Sequence, residues 1–512
     1  MNRLYAIGLG SALLFLTSCM IVPHPLTDEE IRLRVADDIR ILHADQDPVT
    51  GPIDLYEAMA RALKYNLDSR VKVMQTMFAH QQLDLAHYSL LPQLAANAGY
   101  DGRNNFSGGT AVSLLTGRQI LEPVTSADRN IFTGNLYLSW DVLDFGLSYV
   151  RAQQAADNVL IAQEEKRRQA IRLIQDVRNA FWRAASADRL IGKVASLDDQ
   201  VTKALANTRT IYDRKLQSPL APLNYQRDLL NIQREVQRLY RELNIAKVQL
   251  ASLMNLQPDA FYQLKMPAVD RAVPVANLDL DRLEEQALMN RPELRTIDYQ
   301  KRVNAKEAKV ALLQMFPNLR AQFGGNYSSN SFFLYQNWLG YASQVSWNLL
   351  NVFSQRAKSK VIQTQDDVLK TQSLATSLTV LTEVHVGATQ LAYSRQELDN
   401  AARYQVTQVQ IADQTQRGWL TRSTSDLNLI REKVNEVLAE VRLDVARSAF
   451  EAAQGNLMAA IGEDAVPSMT PSQNVAELAQ AIREHWERSE MVAMVPVRKK
   501  EQDVPTIRPV AQ

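Results

Sequence analysis

Six histidines, at positions 24, 43, 80, 87, 385 and 485, are the side chains best suited to proton transfer or metal binding. Only His80 and His87 are neighbours, on one face of a helix-like stretch. A zinc site needs three or four ligands, and no Cys or carboxylate completes this pair, so it reads as surface polarity rather than a metal centre. There is no Gly-x-Ser-x-Gly, P-loop or dinucleotide fingerprint. Nothing here supports an enzyme or a cofactor. The remaining charged groups of interest flank two turns. Asp213, Arg214 and Lys215 precede Gln217-Ser218-Pro219, and Arg417, Arg422 and Asp426 surround Gly418. Charges at helix ends act by number: symmetric copies turn them into rings, and rings select ions. The plainer reading is solvated charge on exposed helix ends.

One further side chain suits covalent chemistry. Arg3 precedes an apolar run over residues 4–16, followed by Leu16-Thr17-Ser18-Cys19. A basic start, an apolar stretch and small residues read as a secretory signal over 1–18. A Cys directly after such a tripeptide resembles the bacterial lipobox, with Cys19 as the acylated (palmitate-type) first residue. Cys19 is the only cysteine, so it has no partner for an internal disulfide. An ordinary signal peptide with an incidental Cys is the alternative. Met20 follows, and bacterial sorting usually reads a non-Asp residue there as an outer-membrane address.

The elements that would position the turns come next. The 512 residues are 46% hydrophobic and 22% charged, with a formal net charge of +1. That balance is neither disordered nor nucleic-acid-binding. Beyond the N-terminus no run of about 18 apolar residues suggests a transmembrane helix. Residues 316–347 instead alternate. Leu319, Ala321, Phe323, Gly325 and Tyr327 share one face, opposite Arg320, Gln322, Gly324 and Asn326. After Trp338, Leu339, Tyr341, Ser343, Val345 and Trp347 resume the apolar side. Period two with aromatic ends describes a transmembrane barrel strand, apolar to lipid and polar or small to the lumen.

The same unit occurs upstream. Leu90-Leu91-Pro92-Gln93-Leu94 resembles Met315-Phe316-Pro317-Asn318-Leu319, and Trp140-Asp141-Val142-Leu143 echoes Trp347-Asn348-Leu349-Leu350. The chain therefore predicts a helix–hairpin–helix unit twice, with hairpins at 93–141 and 318–348. Four strands cannot close a barrel, since single-chain barrels start at about eight strands. Open edges in lipid leave backbone groups unpaired. The chain must share its barrel with copies of itself, most simply by cyclic symmetry.

Proline-free stretches predict long helices over 148–218 and 354–416, ended by Pro219 and Pro222 and by a turn at Gly418. Shorter helices are expected over 54–91, 223–256 (stopped by Pro258), 280–316 (lightly interrupted at Pro292) and 427–461, with Gly462 as C-cap. Two short helices end to end match one long one at about 1.5 Å per residue. Each half thus builds one continuous and one split column. The plan is a signal over 1–18, a tether over 19–53 with a short helix or disorder near 28–42, repeats over 54–258 and 280–463 joined by a linker, 259–279, and a tail over 464–512 with one short helix. Residues 101–130, between two strands, read as the outer loop.

This order, found twice over residues 54–462, resembles the TolC family of outer-membrane channels. The resemblance implies a mainly α fold with a small β part, trimeric, with a 12-stranded barrel continued by a periplasmic helical tunnel. It also implies a periplasmic adaptor and an inner-membrane pump as partners, and a passive conduit for efflux or type I secretion. In the family, acidic residues just after the second tip turn line the constriction. That implies Asp426 as the first gate residue, with Arg422, Arg417 and Asp213 around it and Arg422 as a possible partner holding the tip shut. Trp419, at the same turn, is a candidate adaptor contact. Trp140, Trp338, Tyr341 and Trp347 are candidate membrane-interface aromatics. The rival reading is a lipid-anchored periplasmic coiled-coil scaffold without a pore, which accounts for the helices and Cys19 but not for the paired alternating strands.

Overall fold

The computed structural model describes residues 23–42, 44, 46–213, 220–257, 260–266, 278–463 and 474–493. Cys19, Arg214, Lys215 and most of the turn after Asp213 lie outside them. The first half runs α1 (Asp28–Leu42), α2 (Leu55–Tyr65), α3 (Leu67–Tyr88), β1 (Gln93–Gly102), β2 (Gly108–Val112), β3 (Gln119–Thr125), β4 (Asn130–Asp141), α4 (Val142–Asp213) and α5 (Leu220–Leu253). The second runs α6 (Leu280–Asn290), α7 (Pro292–Leu313), β5 (Asn318–Ser328), β6 (Asn337–Ser346), α8 (Leu350–Leu420), α9 (Asp426–Ala460) and α10 (Val475–Ala493).

The duplication is closer than the sequence suggests. Both halves contain an 11-residue helix, a single-residue break and a 22-residue helix. The long helices α4 and α8 have 72 and 71 residues, about 108 Å each at 1.5 Å per residue. The breaks fall at Asn66 (φ −59°, ψ 125°) and Arg291 (φ −65°, ψ 126°). This corrects the expectation of a continuous helix over 54–91, whereas the break in the second half falls at the interruption expected at Pro292. Pro292 forces the second break, because it carries no N–H and restricts Arg291 to extended backbone. Asn66 makes the first as an N-cap, its side chain accepting from the Ser69 N–H.

Both breaks hold a split column together. Asn66 Nδ2 donates to the Leu253 carbonyl at the end of α5 (3.3 Å). Arg291 Nη1 donates to the Ala459 carbonyl near the end of α9 (3.2 Å). From α4, Arg167 donates to the carbonyls of Asn290 (2.8 Å) and Gly462 (2.7 Å), one from each of two helix ends. Those carbonyls have no partner within their own helices.

Other helix ends differ from expectation. Gly462 (φ 70°) closes α9 as predicted, but α5 ends before Pro258, at left-handed Asn255 (φ 58°). Pro222 lies inside the first turn of α5, where a missing N–H costs nothing. Within the outer segment 101–130, β2 and β3 pair as a hairpin with a bulge between Gly109 and Ala111. Its base is tied to the loop of the second half by Asp128–Ser331 and Asn330–Ser126 hydrogen bonds.

The main core sits at mid-height. There α2 and α10 pack on the middle of α4 with the ends of α5 and α9, around Phe181, Ile174, Met59, Leu250, Met254 and Ile482. Alanines dominate the rest, including Ala58, Ala62, Ala180, Ala184 and Ala460, which lets helix axes approach closely. A smaller cluster around Leu190, Val194 and Val437 lies nearer the tip. Elsewhere the helices form a wall one layer thick.

Candidate functional site

The four long strands make one sheet in the order β1-β4-β5-β6, all antiparallel. The central β4–β5 pair joins the two halves. Cross-strand rows carry the alternation through the whole sheet. Leu94, Leu138, Phe323 and Tyr341 lie opposite one another, as do Ala96, Leu136, Gly325 and Leu339. Their large side chains are exposed, from 43% for Leu138 to 88% for Tyr341. An apolar face four strands wide has no partner within the chain, the signature of a surface meant for lipid or protein. The opposite face carries the row Asn97, Asn135, Asn326, Trp338, with Asn97 donating to Asn135 (2.9 Å). At its helix-proximal end Asp141 accepts from Arg320 (2.8 Å) and Asn318 (3.0 Å).

Close packing of β4 on β5 depends on Gly324. A Cβ there would stand 2.3 Å from the Leu136 carbonyl oxygen and 2.7 Å from Tyr137 Cα. The outer edges, on β1 and β6, have no partner strand in the sheet.

The four candidate interface aromatics do not form one group. Trp140 and Trp347 stand where strands meet helices. Trp140 packs edge-on to Phe145 (5.9 Å), and Trp347 donates to the Met315 carbonyl (2.9 Å). Tyr341 is on the apolar face but mid-strand. Trp338 lies on the polar face beside Phe333 (6.1 Å), because it pairs with Asn326. The far end of the apolar face is marked by Tyr100, in phase with Leu94, and by Phe132 (4.8 Å), which is not among the candidate aromatics. Its alternation with Leu136 and Leu138 was the available signal. Phe132 to Trp140 spans about 27 Å of strand at 3.4 Å per residue, or about 21 Å at a 40° tilt, close to the apolar band of a barrel.

At the opposite end of the columns α8 turns into α9. Gly418 is not in the turn but in the last coil of α8, where a Cβ would lie 2.8 Å from Thr424 Oγ1. Arg422 (φ 58°) supplies the left-handed residue that the turn requires. Ser423 N–H closes it onto the Gly418 carbonyl (2.8 Å), and Ser425 caps α9 by accepting from Asn428 N–H (3.3 Å). The structure joins two of the predicted residues: Trp419 Nε1 donates to Asp426 Oδ1 (2.6 Å). Asp426 opens α9, where the helix dipole favours a carboxylate. Arg417 pairs instead with Asp413 (2.7 Å), and Arg422 makes no ion pair among the described residues, so an Arg422–Asp426 link is not what holds this turn. Burial, with the Asp426 charge adding to it, pushes the Tyr225 hydroxyl up. Arg431 on α9 reaches Asp228 on α5 (3.3 Å), tying the two tip helices together. Asp213 is the last residue of α4.

His80 and His87 both lie on α3, and no three potential metal ligands cluster among the described residues. No helix among them is long and apolar enough to cross a membrane.

No family model and no curated protein matches the sequence. Solved structures do. The outer-membrane channel OprN superposes with a TM-score of 0.61 at 16% identity, covering 80% of this chain and 89% of its own. The chain has the fold of the TolC-family outer-membrane channels. CmeC of Campylobacter jejuni superposes with a TM-score of 0.61 at 13% identity, covering 91% of this chain and 97% of that one. The open state of MtrE of Neisseria gonorrhoeae gives 0.58 at 17% identity, with 80% and 88% covered. The TolC fold places the apolar sheet and the α8–α9 turn at opposite ends of the same columns.

Proposed function

We propose that the chain is the outer-membrane channel of an export system, an efflux pump or a type I secretion machine. One observation carries this reading: a four-stranded sheet with an exposed apolar face, a polar reverse and two unpartnered edges. Such a sheet is stable in lipid only when β6 of one copy pairs with β1 of the next. Three copies close twelve strands, the number in the TolC-type barrel, and α4, α5, α8 and α9 continue it as a tunnel. The protein then lies in the bacterial outer membrane with most of its mass in the periplasm. Acyl chains on Cys19 add an anchor. The channel does no chemistry and needs no cofactor. It opens when a periplasmic adaptor, bound to an inner-membrane pump, engages the tip near Trp419. Asp426, with its copies, is the ring that admits or blocks cations there.

The test is conductance of the purified protein in a planar bilayer. Long-lived steps of uniform size are expected, after deletion of residues 421–425 if the intact tip is shut. Silence from a deleted-tip variant that remains oligomeric and inserted would reject the channel and favour the scaffold.

A further inference from the structure

A cavity of about 540 Å³ opens between α4 and α8, over the point where α9 and α7 meet end to end. Its rim sets Arg168, Arg172 and Arg291 against Glu293 and Glu383, an excess of one cation, and its walls include Ile171, Leu378 and Val386. Leu378 and Val386 are 67% and 47% exposed, so apolar surface faces into the opening. The volume is that of a site for a drug-sized ligand, and apolar walls with a few placed charges are the usual make-up of one.

The charges are not equivalent. Arg291 is held by Glu293 (3.0 Å) and Glu383 (2.8 Å), and Arg168 by Glu293 (3.5 Å). These carboxylates are committed to their arginines. Arg172 makes no ion pair among the described residues. Asp176, one turn on, feels its charge: burial pushes that carboxyl up, and Arg172 pulls against it. Beside it, α7 begins at Pro292 with no side-chain cap, so its first N–H groups also favour a negative ligand.

We infer that this cavity is a binding site for amphipathic organic anions, with Arg172 as the anchor for the acidic group and Ile171, Leu378 and Val386 holding the apolar body. Binding itself does not depend on conduction. Only the ligand's role as transported cargo rests on the channel reading.

The test uses the full chain in lipid nanodiscs and equilibrium dialysis of naphthalene-2-sulfonate, with empty nanodiscs subtracted. Saturable binding of one molecule per chain is expected. Arg172→Gln should weaken it about tenfold, the value of one charge-assisted contact. Thr382→Trp, which fills the cavity from an exposed position, should abolish it. Arg183→Gln, on the same helix but outside the cavity, should leave it unchanged. Neither inorganic sulfate nor naphthalene-2-methanol at equal concentration should displace the probe. Absence of saturable binding, wild-type affinity in both Arg172→Gln and Thr382→Trp, or displacement by the neutral alcohol would overturn the assignment. A protein that binds but never conducts would sink the channel reading alone, and one that conducts but does not bind would sink this one alone.

Discussion

Replacing Arg167 with Met should loosen the joint between α7 and α9 without touching either helix. Besides a longer contact to Glu164 (3.4 Å), the guanidinium makes charge-assisted hydrogen bonds to the Asn290 and Gly462 carbonyls at 2.8 and 2.7 Å, and its side chain is only 20% exposed. Each such bond contributes about 1.5–3 kcal/mol, and the lower figure suits a side chain that still touches solvent. The loss is then about 3 kcal/mol, since Met keeps the apolar stem but leaves both carbonyls without a partner. At 1.4 kcal/mol per factor of ten, local opening rises about a hundredfold. Hydrogen exchange of peptides covering residues 288–296 and 452–463 reads this directly, with the middle of α8 as the internal control. Arg167→Lys should recover about half, because an ammonium is a point donor and cannot span two carbonyls in one plane. Protection within threefold of wild type at both peptides in Arg167→Met would refute the reasoning, and would mean that water serves those carbonyls equally well.

Three further outcomes are expected. Gly324→Val should cost about 3 kcal/mol or more by overpacking the β4–β5 seam, seen as loss of a detergent-resistant oligomer, whereas Gly325→Ala, whose nearest atom is 4.0 Å away, should be tolerated. Asp426→Ala should reduce block of the conductance by divalent cations, and unchanged block would remove Asp426 from the constriction. The Val475 N–H, then Lys64, holds the Asp47 carboxyl below its ordinary value. A depressed pKa stabilises above the unfolded value, so docking of α10 should be constant from pH 5 to 8 and weaken as pH falls through the folded pKa, below about 4. Proteolysis at the α10 boundary against pH measures this, and Asp47→Asn should remove the dependence.

The sheet was legible because side chains alternate with period two and no other element explains Leu319–Tyr327 beside Leu339–Trp347. Its central seam was not, because β4 and β5 come from different halves and nothing local specifies their register. Trp338 falls in phase with Gly340 and Ala342, so the same alternation sets it on the polar face, opposite Asn326. The breaks at Asn66 and Arg291 show how repetition outperforms propensity: aligning Leu67 with Pro292 marks the first break, which no proline announces. At the tip, the sequence points to glycine as the turn residue. Gly418 is needed for clearance under Thr424, and Arg422 carries the unusual backbone. Joining Trp419 to Asp426 was out of reach, since it depends on how α9 leaves that turn.

The two bare edges of the sheet bear on the order in which this protein is made. β1 and β6 have 10 residues each, and about half of their backbone groups point away from the sheet. Exposed to hydrocarbon, those groups would cost several kcal/mol apiece, tens of kcal/mol for a lone chain. A single copy therefore has no stable place in the bilayer, and in water the same edges invite indiscriminate pairing. In the proposed channel, chains would then meet before or while they enter the membrane, so insertion would depend on concentration and belong to the ring rather than to the subunit.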